Sequence, residues 1–227
     1  YGPGRYELAT HTGSHLIVII RLDSNFSPEQ VRKYQRDIII TAGSDKPFYT
    51  EQYERSSFYQ VENQLKADLM GLVKKEDPMA LSTSLFSSPT DETRGLYRPE
   101  KNQVAAANGW GGALAKDNIY ETSPSFPETG CYQLTFEDPK NKHFWSITVY
   151  NKAGFMFSDT ANVNSYHAKA NADGTYTVSL GCGQQYPNNL PIKNDSGVFN
   201  ITARHYGPSE RVLKDGYRLV PRLKKVK

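Results

Sequence analysis

The amino-acid sequence predicts an α+β protein, a helical N-terminal part followed by an antiparallel β-sandwich or jelly-roll-like C-terminal domain. Three observations carry that prediction. In the first half apolar residues recur at three- and four-residue spacing, with Val31, Tyr34 and Ile38 in one stretch and Phe58, Val61, Leu65, Leu69 and Leu72 in another. Beyond the run Gly109-Trp110-Gly111-Gly112 the period falls to two and turn signals separate short apolar segments. Fifteen tyrosines raise the aromatic share to 12% against an apolar share of 37%, and a side chain with an apolar ring and a polar tip suits half-buried strand positions.

Taken in order, Tyr6–Thr10 and His15–Leu22 read as extended, and the β-branched run in the second reads as a strand buried on both faces. A helix begins with Ser27 as N-cap, Pro28 at its first position and Gln30 three residues after the cap, and should end near Ile40, ahead of Gly43. A second helix is predicted over Ser57–Lys75, with Lys74 and Lys75 in its last turn and Asp77-Pro78 closing it. Residues 79–100 form a long connection, and a third helical segment runs from Pro99 to Asn108.

Six strands are then predicted: Cys131–Phe136, His143–Tyr150, Phe155–Phe157, Thr175–Leu180, Val198–Tyr206 and Tyr217–Val220. Asn151-Lys152-Ala153-Gly154 and Asn171-Ala172-Asp173-Gly174 read as hairpin turns. Strand alternation assigns faces. Tyr132, Leu134 and Phe136 share one, as do Tyr176, Val178 and Leu180, and Phe199, Ile201 and Ala203. In His143–Tyr150, Trp145, Ile147 and Val149 form the core face opposite Phe144, Ser146, Thr148 and Tyr150. The chain divides on this reading into 1–45, a helical connecting region 46–108, and a β-rich domain 109–227.

Composition narrows the function. A net charge of +3 is too small and dispersed for nucleic-acid binding, and the basic cluster Arg218, Arg222, Lys224, Lys225 and Lys227 reads as a frayed, solvated terminus. No apolar run approaches the roughly 20 residues that cross a bilayer. The cysteines, Cys131 and Cys182, are compatible with one disulfide or with two buried thiols.

No catalytic constellation is legible. The glycine cluster at 109–112 lacks the Lys-Ser/Thr that follows a phosphate-binding loop; Trp110 is read as a plug at a domain junction, with an aromatic platform for a sugar as the sharper alternative. His11 and His15, with Asp23 nearby, lie in strand and turn, where a four-residue spacing does not converge on a metal. His143, His167 and His205 fall in or beside strands, and Ser146 has no glycine-flanked elbow. Asp91-Glu92, Glu121 and Glu137-Asp138 have turn-like settings that favour exposure. Arg204 sits mid-strand, where a charge is costly unless paired. It either faces solvent beside Asn200 and Thr202 or anchors a buried carboxylate.

Several motifs occur together in one order. They are Gly109-Trp110-Gly111-Gly112, Ile119-Tyr120, Cys131-Tyr132-Gln133-Leu134-Thr135-Phe136, Phe144-Trp145-Ser146-Ile147-Thr148-Val149-Tyr150, Gly154-Phe155 and Asp173-Gly174, followed by Asn189-Leu190-Pro191, Arg204-His205-Tyr206-Gly207-Pro208 and Asp215-Gly216-Tyr217. Over residues 100–225 the chain resembles the domain of unknown function 1214 family. The Phe-Trp-Ser strand ending in tyrosine is the most specific element. Tyr6–Ile40 is similar to the end of the domain of unknown function 1254 that usually precedes it, which implies, together with a first residue other than methionine, that the chain is the C-terminal part of a longer protein. The resemblance expects leucine where His205 stands, and often tryptophan at Asn188 or Tyr217. It carries no catalytic residue over.

The functional expectation is a non-enzymatic binding or assembly module, with an uncharacterised hydrolase or lyase, its site at the junction of the two halves, as the alternative. Trp110, Tyr150, Arg204 and His205 are the candidate ligand-binding residues. No metal and no cofactor is expected. The partners expected are another copy, an upstream domain or fragment, or a glycan. The expected location is secreted, periplasmic or particle-associated.

Overall fold

A computed structural model describes residues 3–8, 18–22, 26–44, 46–47, 49, 51–76, 81, 84–87, 92–109 and 112–226. The chain divides into two compact units, Tyr1–Arg55 and Ser56–Lys227.

The first unit holds helix α1, Pro28–Asp37. Its start is the expected reciprocal cap: the Gln30 N–H donates to Ser27 Oγ at 3.2 Å, and the Ser27 N–H donates to Gln30 Oε1 at 2.8 Å. The helix stops at Asp37, three residues before the predicted end, because Ile38 is already extended and a β-branched run disfavours the helix. The predicted buried strand does not form over its described residues. Residues 18–22 carry no regular structure, and Val18, Ile19 and Ile20 are exposed. A strand needs a neighbour for its N–H and C=O groups, and no described segment pairs with this one; residues 15–17 lie outside the described part. Ile20, Leu22, Phe26 and Val31 line an open cleft within this unit.

Helix α2, Arg55–Val73, starts at the last residue of the first unit and otherwise belongs to the second, where α3, Pro99–Gly109, follows it. Only the C-terminal half of the α2 stripe is used. Leu65, Leu69 and Leu72, with Phe86, pack on a small cluster of Leu81, Leu85, Val104 and Ala105, whereas Phe58 and Val61 are exposed. Lys101 Nζ ties this helical part together, donating to Glu76 at 2.7 Å and to Ser84 Oγ at 3.1 Å.

Two sheets follow. The first runs in the order β1 (Asn118–Thr122), β8 (Val198–Tyr206), β4 (Phe144–Asn151), β5 (Asn162–Asn164), with β2 (Phe126–Pro127) also on β8. All its pairings are antiparallel. The second runs β7 (Asn189–Leu190), β6 (Tyr176–Leu180), β3 (Tyr132–Phe136), β9 (Lys224–Lys225); only β6 and β7 are parallel. One buried cluster draws on both: Trp145, Ile147, Val149, Phe199, Ile201 and Ala203 from the first sheet, and Leu134, Phe136, Val178 and Leu180 from the second. Trp145 crosses the rings of Phe136 and Tyr176 nearly at right angles, at 5.0 and 5.2 Å.

Both predicted turns form, with Gly154 and Gly174 at φ +84° and +81°, values that favour glycine. The strand predicted at Phe155–Phe157 does not form. The Asn151 side chain accepts from the Ala153 and Phe155 N–H groups, both at 3.0 Å, which curls the chain outward, and pairing with β4 resumes at Asn162–Asn164, where Val163 opposite Ile147 packs on the core. The strand predicted at Tyr217–Val220 is instead irregular chain leading into a 3-10 helix, Val220–Arg222, with Pro221 at a position that needs no N–H. A short helix α4, Glu210–Leu213, precedes it. Nor does the basic terminus fray through Val226. The ring of Tyr217 lies between the guanidinium groups of Arg211 and Arg222, at 3.9 and 4.6 Å, and Lys224 and Lys225 pair with β3. Cys131 and Cys182 are joined by a disulfide.

Candidate functional site

The register of the first sheet decides what stands beside Arg204. Residues directly opposite one another point to the same face, so the pairing places Tyr120, Arg204, Ser146 and Asn164 in one row across β1, β8, β4 and β5. The row on one side holds Thr122, Thr202, Thr148 and Asn162; the row on the other holds Asn118, Tyr206 and Phe144. Asn200 and Tyr150 pair beyond the threonines. These rows are therefore neutral except at Arg204.

Arg204 is half-buried and firmly held. One terminal N–H donates to Thr148 Oγ1 at 3.0 Å and another to the Tyr150 hydroxyl at 2.6 Å. Its guanidinium carbon lies 5.1 Å from the centre of the Tyr120 ring and 5.6 Å from that of Tyr150, within cation–π range. Among the described residues no carboxylate forms an ion pair with it. Of the two settings open to Arg204, the structure shows the outer face beside Asn200 and Thr202. The rings continue past it: Tyr120 meets Tyr206 at 6.4 Å, Tyr206 stacks on Phe144 at 4.3 Å, and Phe144 meets Tyr166 at 5.5 Å. Tyr120 and Tyr166, at the two ends, are 56% and 68% exposed.

The neighbouring residue faces the other way. His205 is 0% exposed and sits on the inner face with Phe199, Ile201 and Ala203. Its Nε2 lies 2.7 Å from Glu121 Oε1 and its Nδ1 3.1 Å from Asn141 Nδ2. Asn141 Nδ2 is a donor that also serves the Phe144 carbonyl at 3.2 Å, so Nδ1 accepts and the proton sits on Nε2. Glu121 is buried on β1, not exposed in a turn as its sequence setting suggests. Its carboxylate also accepts from the Leu219 N–H at 3.0 and 2.9 Å and from the Val220 N–H at 2.9 Å. This network binds β1 and β8 to the chain entering the 3-10 helix. A histidine and a carboxylate do stand within hydrogen-bond reach, but both are sealed inside the core, where no substrate atom meets them. The core position that the resemblance fills with leucine takes a histidine here because every polar atom of that ring has a partner.

Of the residues singled out in the sequence, Tyr150 and Arg204 come together on the outer face, and His205 lies on the opposite one. Trp110, His11, His15, Asp23 and Asp91 lie outside the described residues. Among the described residues no group of three metal-ligating side chains converges, and no helix is long and apolar enough to cross a membrane. Tyr120, Tyr166, Phe144 and Tyr206 were not identified as site residues from the sequence; the signal was the alternation that already placed Phe144 opposite the core face.

Fold and face together define a class: a two-sheet, predominantly antiparallel β protein with helical N-terminal segments, whose exposed sheet face carries an aromatic file and one cation. Residues 122–210 match the model of a family described as a protein of unknown function (DUF1214). The crystal structure of the VPA0106 protein from Vibrio parahaemolyticus is similar in fold, with a TM-score of 0.55 at 18% identity over 90% of this chain and 47% of that one. The chain thus spans about half the length of that protein. An uncharacterized protein from Burkholderia cenocepacia matches at a TM-score of 0.40 and 20% identity, over 48% of this chain and 30% of that one. No curated protein gives a significant match.

Proposed function

We propose that this chain is a non-enzymatic binding module, and that the outer face of its first sheet is the surface that meets a partner. The observation that carries the reading is Arg204, held by Thr148 and Tyr150 beside the Tyr120 ring with no carboxylate partner among the described residues. A cation ordered in advance and flanked by rings spends little further entropy on binding. Among the described residues the buried His205–Glu121 pair is spent on holding the fold, so it gives the hydrolase or lyase reading no support.

The two sheets are read as a sandwich of jelly-roll type, since their inner faces feed one core cluster. An extracytoplasmic location fits the Cys131–Cys182 disulfide, because such bonds persist in oxidising compartments. The partner classes compatible with the face are a glycan or a second polypeptide. A glycan array probed with the chain and with the double variant Tyr120→Ala/Tyr166→Ala tests the reading. Binding that depends on the two tyrosines, without release of new reducing ends, is the expected result. Turnover of any bound sugar would overturn it.

A further inference from the structure

We infer that the outer face takes an acidic carbohydrate, with Arg204 receiving the carboxylate of a uronic acid residue and the neighbouring rings receiving the sugar faces. This rests on the binding reading above and names its ligand.

The chemistry of the face supports carbohydrate over polypeptide. The centre of a protein–protein interface is typically apolar, with aromatic anchors set among other apolar side chains. Here the accessible ground between the rings is amide. Ser146 and Thr148 are buried at β4, and Asn164 and Asn162 on β5 stand in the rows of Arg204 and Thr148. Amides donate and accept at once, which suits a ligand whose own groups are mostly hydroxyls. The rings lie in a file, with centroid steps of 6.4, 4.3 and 5.5 Å from Tyr120 to Tyr166. Tyr206 and Phe144 stack on one another in the middle, so the ring surface open to a sugar is that of Tyr120 and Tyr166 at the two ends. A flexible sugar chain can lay a C–H face against each, whereas a folded protein would need complementary relief.

The charge supports an acid over a neutral sugar. Arg204 is the one charged residue in the paired rows of this face, and two of its N–H donors are engaged within the protein. A guanidinium carries five N–H donors in a planar fork, so three remain for a carboxylate, the group with which arginine makes strong charge-assisted hydrogen bonds. No acidic side chain in those rows repels the incoming anion.

Isothermal titration calorimetry on the full 227-residue chain, with oligogalacturonate, its neutral galactose counterpart and dextran sulfate, tests the inference. Oligogalacturonate should bind, and the neutral sugar should bind at least about tenfold more weakly, the scale of one charge-assisted contact. Arg204→Gln should erase that preference, Arg204→Lys should restore part of it, and Tyr120→Ala should weaken both sugars alike. Thermal melting of each variant controls for folding. Equal affinity for acidic and neutral sugars overturns the acid assignment while leaving the binding surface intact. Tighter binding of dextran sulfate than of oligogalacturonate overturns the carboxylate. Concentration-dependent dimerisation lost in Tyr120→Ala, with no sugar bound, overturns the carbohydrate in favour of a second copy. Sugar binding unmoved by Tyr120→Ala and Arg204→Gln together would remove the face itself.

Discussion

Arg204 and His205 are adjacent on one strand, and each carries chemistry that a sequence reader marks as functional. The two faces of the sheet treat them in opposite ways. On the inner face His205 is wholly buried, and both ring nitrogens are matched, by Glu121 and by Asn141. Glu121 is in turn saturated by two backbone N–H groups that lie 98 and 99 residues away in sequence. On the outer face Arg204 is positioned by two hydroxyls and two rings but neutralised by no acid among the described residues. A buried polar group whose every atom is matched is part of the scaffold. Arg204 is ordered by its neighbours and neutralised by none of the described residues.

The contrast can be broken most sharply from inside. Glu121→Ala leaves His205 and the N–H groups of Leu219 and Val220 buried without their acceptor. It should lower the free energy of unfolding by about 3–5 kcal/mol, the scale of leaving several buried N–H groups unsatisfied at roughly 1–3 kcal/mol each. Urea denaturation followed by tryptophan fluorescence measures this, and a loss under about 1 kcal/mol would mean the network is not structural.

A smaller effect should come from Tyr217, whose hydroxyl donates to the Glu137 carbonyl at 2.8 Å. Tyr217→Phe should cost about 1 kcal/mol, the net worth of one hydrogen bond. Burial pushes its phenol above the ordinary tyrosine range, with Arg222 and Arg211 pulling it partly back. The unfolded chain therefore ionises this group first as pH rises. The stability it provides is complete below pH about 10, the unperturbed value, and is lost as pH climbs from there through the raised folded value. Melting curves between neutral and strongly alkaline pH should show the wild type losing more than Tyr217→Phe.

The smallest stability effect should come from Arg204→Gln. Its contacts are two hydroxyls and two rings at a half-bare surface, so the change in unfolding free energy should stay under about 1 kcal/mol. A loss of several kcal/mol would put Arg204 with His205 as scaffold and undo the distinction between the faces.

Local pattern made much of this visible in advance. The α1 cap, the two glycine turns and the inward set of Trp145, Ile147 and Val149 depend on residues close in sequence, and all are present. Arg204 could be aligned with Asn200 and Thr202 by alternation alone. Its partners could not be named, because Thr148 and Tyr150 lie 56 and 54 residues away and only the β4–β8 register joins them. Glu121 looked exposed for the same reason: what buries it is the distant chain around Leu219. The two-residue strands β2, β7 and β9 are too short to show any period.

By itself, then, the sequence determined which residues alternate, where helices and turns begin, and which face of the His143–Tyr150 strand belongs in the core. Tertiary structure alone decided which apolar runs are buried. Ile147 is fully enclosed, while Ile39, in an equally β-branched run, is 86% exposed. It also decided that one of two neighbouring polar residues is scaffold and the other a cation with no acid partner among the described residues. The physical reason is range. Alternation and capping act over a few residues of chain, whereas burial and charge compensation depend on which segments meet across the sheet.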